Sequence, residues 1–130
     1  MKIKLILLLL IILSSCKSEK NEVENLTEVL KLNDNQNLMK ELRIDNDSVS
    51  FGWTYNYNLS GKQIEINIKI YNDRKIDSLK RRVKLENDSK KIISKLDSNL
   101  KDLSNFDKLN FYQISNNKMT DSLKINVNDL

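Results

Sequence analysis

From Val49 to Ile70 the apolar residues recur with a period of two, and no other pattern in the 130-residue chain restricts its fold so tightly. Val49, Phe51, Trp53, Tyr55, Tyr57 and Leu59 alternate with Ser50, Gly52, Thr54, Asn56 and Asn58. After Ser60-Gly61, Ile64, Ile66, Ile68 and Ile70 alternate with Glu65, Asn67 and Lys69. Successive side chains of a strand point to opposite faces, so two such runs about a Gly-containing break predict a β-hairpin over about 49–71 with one apolar face. Setting Leu59 opposite Lys62 pairs Tyr57 with Ile64, Tyr55 with Ile66, Trp53 with Ile68 and Phe51 with Ile70, which gathers the large apolar side chains on one side. The polar side is expected to meet solvent, and the apolar side needs a cover.

The cover is expected over about 74–104. Asp73 is a candidate N-cap, and Asp77 with Arg81, Glu86 with Lys90 and Asp97 with Lys101 place an acid four residues before a base, which favours helix. At about 100° per residue, however, Ile76, Leu79 and Val83 form one stripe, while Ile93, Leu96, Leu100 and Leu103 form another about a third of a turn away. A straight helix cannot bury both against one sheet. The expected resolution is a kink at Glu86-Asn87-Asp88-Ser89, with Asp88 or Ser89 capping the second half.

Elsewhere the patterns are shorter. Val23, Leu26, Val29, Leu30 and Leu32 share one side of a helix from about Asn21 to Leu32, which the run Asn33 to Asn37 stops because these side chains compete for backbone hydrogen bonds. Leu38, Met39, Leu42 and Ile44 fit either a second short helix or an entering strand. Phe106 to Ile114 reads as a third strand centred on Leu109 to Ser115, Asn116-Asn117 as a turn, and Leu123, Ile125 and Val127 as a fourth strand. The expected architecture is an α+β, two-layer domain of order α-β-β-α-β-β, with an antiparallel sheet built on the hairpin and covered by the long helix.

The first residues have a different character. Lys2 and Lys4 precede nine consecutive apolar residues, Leu5 to Leu13, and Ser14-Ser15-Cys16 follow. This is the layout of a secretory signal peptide. As a helix, the apolar run rises only about 14 Å against the ~30 Å of a bilayer's hydrocarbon, so it is expected to be a processed segment. Leu13-Ser14-Ser15-Cys16 resembles the lipobox of bacterial lipoproteins, in which a Leu three residues before the Cys, with small residues between, is recognised by the lipoprotein signal peptidase. The resemblance implies cleavage after Ser15, diacylglycerol on the Cys16 sulfur and a further acyl chain, such as palmitate, on the new amino terminus. Two or three chains make release from the membrane very slow, because each buried methylene contributes about 0.8 kcal/mol. The organisation is then a signal peptide (1–15), a lipidated Cys and tether (16–22) and a single small domain (23–130). The inner-membrane retention signal of this family is an Asp after the Cys. Lys17 stands there instead, which points to the outer membrane, with surface export left open by Glu19 and Glu22.

Composition then narrows the function classes. Cys16 is the only cysteine, so no internal disulfide can form. Without Lys2 and Lys4 the chain carries 20 basic and 18 acidic residues, a net charge of +2, which does not suggest a nucleic-acid partner. The absence of histidine removes the commonest general base and metal ligand, and two glycines are too few for a phosphate loop. Asp45-Asn46-Asp47 and Asp34-Asn35-Gln36-Asn37 offer oxygen ligands but lack the glycine and closing glutamate of an EF-hand, so they read as turns. No catalytic, cofactor-binding or metal-binding residue is therefore expected.

Two surfaces stand out. The aromatic stripe Phe51, Trp53, Tyr55 and Tyr57 reads as core, with Tyr57 and Leu59 nearest the turn expected to emerge. Arg74 to Lys91 holds eight basic and three acidic residues, and Arg74, Lys75, Lys80, Arg81, Arg82 and Lys84 form a candidate surface patch for anionic headgroups or an acidic partner. The expected function is a lipid-anchored envelope protein whose non-catalytic domain docks on an envelope protein or polymer. The alternative is a cofactor-free hydrolase using serine or carboxylates, which requires a pocket where such groups converge.

Overall fold

The structure, a computed structural model, describes residues 22–43 and 46–130. The Leu13–Cys16 lipobox, Ile44 and Asp45 lie outside the described residues. Helix α1 (22–31) runs into a 3-10 turn, Leu32–Asp34, and then into α2 (Gln36–Leu42), β1 (Ser48–Asn58), β2 (Gly61–Tyr71), α3 (Ser78–Asn99), β3 (Lys108–Ser115) and β4 (Lys118–Asn126). The domain is α+β in two layers, with the helices packed on one face of a four-stranded sheet of order β1-β2-β3-β4. The segment left open between helix and strand is helical as far as Leu42, and Asn35 starts it by accepting a 3.0 Å hydrogen bond from the Leu38 amide. The fourth strand forms.

Four expectations are corrected. First, the hairpin register is displaced by two residues. Asn58 faces Gly61 across Leu59-Ser60, so Tyr57 faces Lys62, Tyr55 faces Ile64, Trp53 faces Ile66 and Phe51 faces Ile68. The turn centres one residue earlier than expected because Gly61, at φ +114°, opens β2 in a conformation that other residues rarely adopt. An even displacement keeps every side chain on its expected face.

Second, the sheet is mixed. Both hairpins are antiparallel, but β2 and β3 run parallel, with Ile66 beside Leu109 and Ile68 beside Phe111. The 22-residue α3 returns the chain to the starting end of β2, and a strand that begins there must run the same way.

Third, α3 has no break at 86–89. Its sheet-facing residues are Leu85, Asp88, Ser89, Ile92 and Leu96, a single stripe, so Ile76, Leu79 and Val83 never compete for the core. Ser89 turns its hydroxyl back to the Glu86 carbonyl at 2.8 Å instead of capping a new helix. The helix starts later than expected, at Ser78 with Asp77 as its N-cap, because Asp73 is held in the preceding loop.

Fourth, α3 does not cover the hairpin alone. It lies along β3 and β4, while α2 and the 3-10 turn before it contact β1. A four-stranded sheet is about 14–19 Å wide and a helix about 10 Å, so one helix covers half of it.

The core is built from Ile66, Ile68 and Ile70 of β2, Leu109 and Phe111 of β3, Leu85, Ile92 and Leu96 of α3, and Val29, Leu32, Leu38 and Leu42 from the amino-terminal helices. On β1 only Val49 and Phe51 are buried. Tyr57 is 76% exposed and Leu59 fully so, as expected for the end nearest the turn, but Trp53 and Tyr55 are partly exposed too, which corrects their reading as core. The opposite sheet face is polar, and on it Thr54, Asn67 and Asn110 form a hydrogen-bonded row across three strands. No helix among the described residues is long and apolar enough to cross a membrane.

Candidate functional site

At the end of the sheet remote from the β1–β2 turn, residues 72–77 carry the chain from β2 to α3. This loop has no regular structure, yet its first residues are tied on several sides. The Asn72 amide donates to the Ile114 carbonyl at 3.0 Å, and the Asn72 side chain accepts from the Arg74 amide at 3.1 Å, closing an Asx turn. Asp47 accepts from the Asp73 amide at 2.9 Å, and Asp73 accepts from the Asn116 amide at 2.8 Å. Beneath the loop, buried Asn46 accepts from the Lys84 ammonium at 2.8 Å, and Lys84 also pairs with Asp88. Charged Asp88 is tolerated at a buried position because its partner sits one helical turn away.

This framework leaves an open groove of about 790 Å³ between the loop and the first turns of α3. Ile76, Leu79 and Val83 form its apolar surface, and Arg74, Lys75, Lys80 and Lys84 rim it. Leu79 is 80% exposed and Val83 56%, a large uncovered area for leucine and valine on a helix. Lys84 is engaged below, but among the described residues Arg74, Lys75 and Lys80 have no carboxylate at ion-pairing distance. On the other side of the loop lies a second depression of about 620 Å³, where Arg74, Lys75, Arg81 and Lys118 face Gln113 and Thr120.

The structure thus divides the six basic residues singled out in the sequence. Arg74, Lys75, Lys80 and Lys84 converge on the groove. Arg81 reaches back to the Ile76 carbonyl at 3.4 Å and lines the second depression. Arg82 points to β4, where it meets Asp121 at 3.1 Å and the Ser122 carbonyl at 2.7 Å, with Glu86 at 3.5 Å. Comparison with family models, curated proteins and solved structures finds no match to this chain.

The site consists of cationic donors around an apolar floor. Of the acids nearby, Asp88 is committed to Lys84 and Asp47 and Asp73 to backbone amides, while Asp77 makes no side-chain cap bond and lines the second depression. Among the described residues no cluster of three or more acidic side chains is placed to hold a metal ion. Asn35 and Asn46, from the two oxygen-rich runs, serve as a helix cap and as a brace beneath the loop. Lys62, which hydrogen-bonds to Glu22, is held above the usual lysine value, and Asp102, which accepts from the Ser104 hydroxyl and amide, is held below the usual carboxylate value. Sequence reasoning missed the apolar floor, because Ile76, Leu79 and Val83 were assigned to the core. The signal was present as a stripe that did not align with the rest of its helix.

Proposed function

We propose that the protein is a lipid-anchored module of the bacterial cell envelope that binds, without catalysis, an acidic amphipathic segment of a partner protein in this groove. The observation that carries the reading is an open groove combining exposed Leu79 and Val83 with Arg74, Lys75 and Lys80, cations that have no ion-pair partner among the described residues. Charge alone would suit an anionic polymer or lipid headgroups equally well. The apolar floor favours a partner that brings its own apolar side chains: Leu79 and Val83 lie one turn apart on α3 and Ile76 adds to them from the loop, a strip on which an amphipathic helix can lay its apolar face. The anchor rests on the resemblance of Leu13-Ser14-Ser15-Cys16 to a lipobox, and Lys17 supports the outer membrane over the inner.

The test uses a labelled synthetic helical peptide with leucines at i, i+3 and i+7 and glutamates on its flanks, titrated with the protein by fluorescence anisotropy. Leu79→Asp and the Lys75→Glu, Lys80→Glu double variant are each expected to weaken binding at least about tenfold, a loss of about 1.4 kcal/mol, with thermal stability little changed because all three side chains are exposed. The reading is wrong if neither variant weakens binding, or if a peptide with its leucines replaced by serine binds as well.

A further inference from the structure

The other end of the molecule carries an unexplained surface of its own. Tyr57 and Leu59 at the β1–β2 turn are the most exposed of the hairpin's large apolar residues, and Trp53 and Tyr55 emerge beside them on the same strand. In a chain that is 31% charged, the fourteen residues from Phe51 to Ile64 contain one charged side chain, Lys62. That lysine hydrogen-bonds to Glu22 at 3.0 Å, which places the first described residue at the hairpin tip. Cys16 is only six residues before Glu22, a reach of at most about 20 Å.

We infer that the β1–β2 tip, through Tyr57 and Leu59, docks on the lipid bilayer beside the acylated Cys16; this rests on the anchored reading above. A tether this short holds the tip near the headgroups. Tyrosine and tryptophan favour that layer, since their rings are apolar while their polar ends stay hydrated. Between Phe51 and Ile64 the hairpin carries no carboxylate; Glu22, beside it, is paired with Lys62, and Asp107 accepts from the Ile64 amide. The docking also sets an orientation. β2 spans 11 residues, about 33 Å, between the tip and the loop at 72–77, so the basic groove is held away from the membrane and open to a partner.

The only cysteine permits a test that does not depend on natural acylation. The mature chain from Cys16 is coupled through that thiol to a maleimide lipid in phosphatidylethanolamine and phosphatidylglycerol vesicles, at one protein per vesicle. Two single-tryptophan chains report depth, the natural one with Trp53 and a Trp53→Phe, Tyr57→Trp chain. The tip tryptophan is expected to shift to the blue on coupling and to be quenched by acyl-brominated lipid at least about twofold more than Trp53, and Leu59→Asp is expected to abolish both effects. Emission and quenching unchanged on coupling would overturn the inference. So would a blue shift without bromine quenching, or one seen only at high protein density, which would mean that protein covers the tip. Failure here leaves the anchored reading intact, because acylation is read separately from the mass of the native protein.

Discussion

The side-chain amide of Asn33 donates to the Phe51 carbonyl and accepts from the Phe51 amide, both at 2.8 Å, and so supplies the outer edge of β1 with the pair of bonds that a neighbouring strand would make. Asn33→Ala leaves both Phe51 groups without that partner and is expected to destabilise the domain by about 1–2 kcal/mol, measured by urea unfolding, with faster exchange of the Phe51 amide. A cost near zero would mean that water replaces the amide without loss. The asparagine-rich run was legible as a helix stop, since such side chains compete for backbone groups. Which backbone each one would find was not. Asn35 serves its own helix, whereas Asn33 bonds a strand 18 residues away, and no local pattern encodes that partner.

At the scale of elements, α3 shows where periodicity informs and where it misleads. The two stripes are misaligned, as their periodicity indicates, but only one of them is buried. A helix buries only the stripe that faces the sheet, here through Leu85, Ile92 and Leu96, and the remaining stripe became the floor of the groove. Fully buried Leu85 and exposed Leu79 therefore answer differently to the same change. Leu85→Ala is expected to cost about 2–5 kcal/mol in chemical denaturation, and Leu79→Ala less than about 0.5 kcal/mol. Equal costs would mean that the helix is rotated or broken. The hairpin was legible face by face because its period is two. Its register was off by two residues because the pattern cannot distinguish an even slip, which the positive φ of Gly61 settles. The parallel joint between β2 and β3 was not legible, since strand direction is set by where α3 returns the chain.

On the scale of the whole molecule, the two unusual surfaces lie at opposite ends of the sheet. The hairpin tip, with Lys62 as its one charged residue, stands beside Glu22, and the basic apolar groove stands at the far end of β2. In the proposed arrangement, with the lipid at Cys16, the molecule stands on the bilayer by its tip and offers its groove to a partner beyond the headgroup layer. All of this depends on the anchor. The most direct measurement is the intact mass of the native protein after detergent extraction, beside a Cys16→Ala variant. The account predicts a mature protein that begins at Cys16 and carries diacylglyceryl and further acyl mass, with no such product from the variant. An unacylated mature protein in the soluble fraction would contradict it.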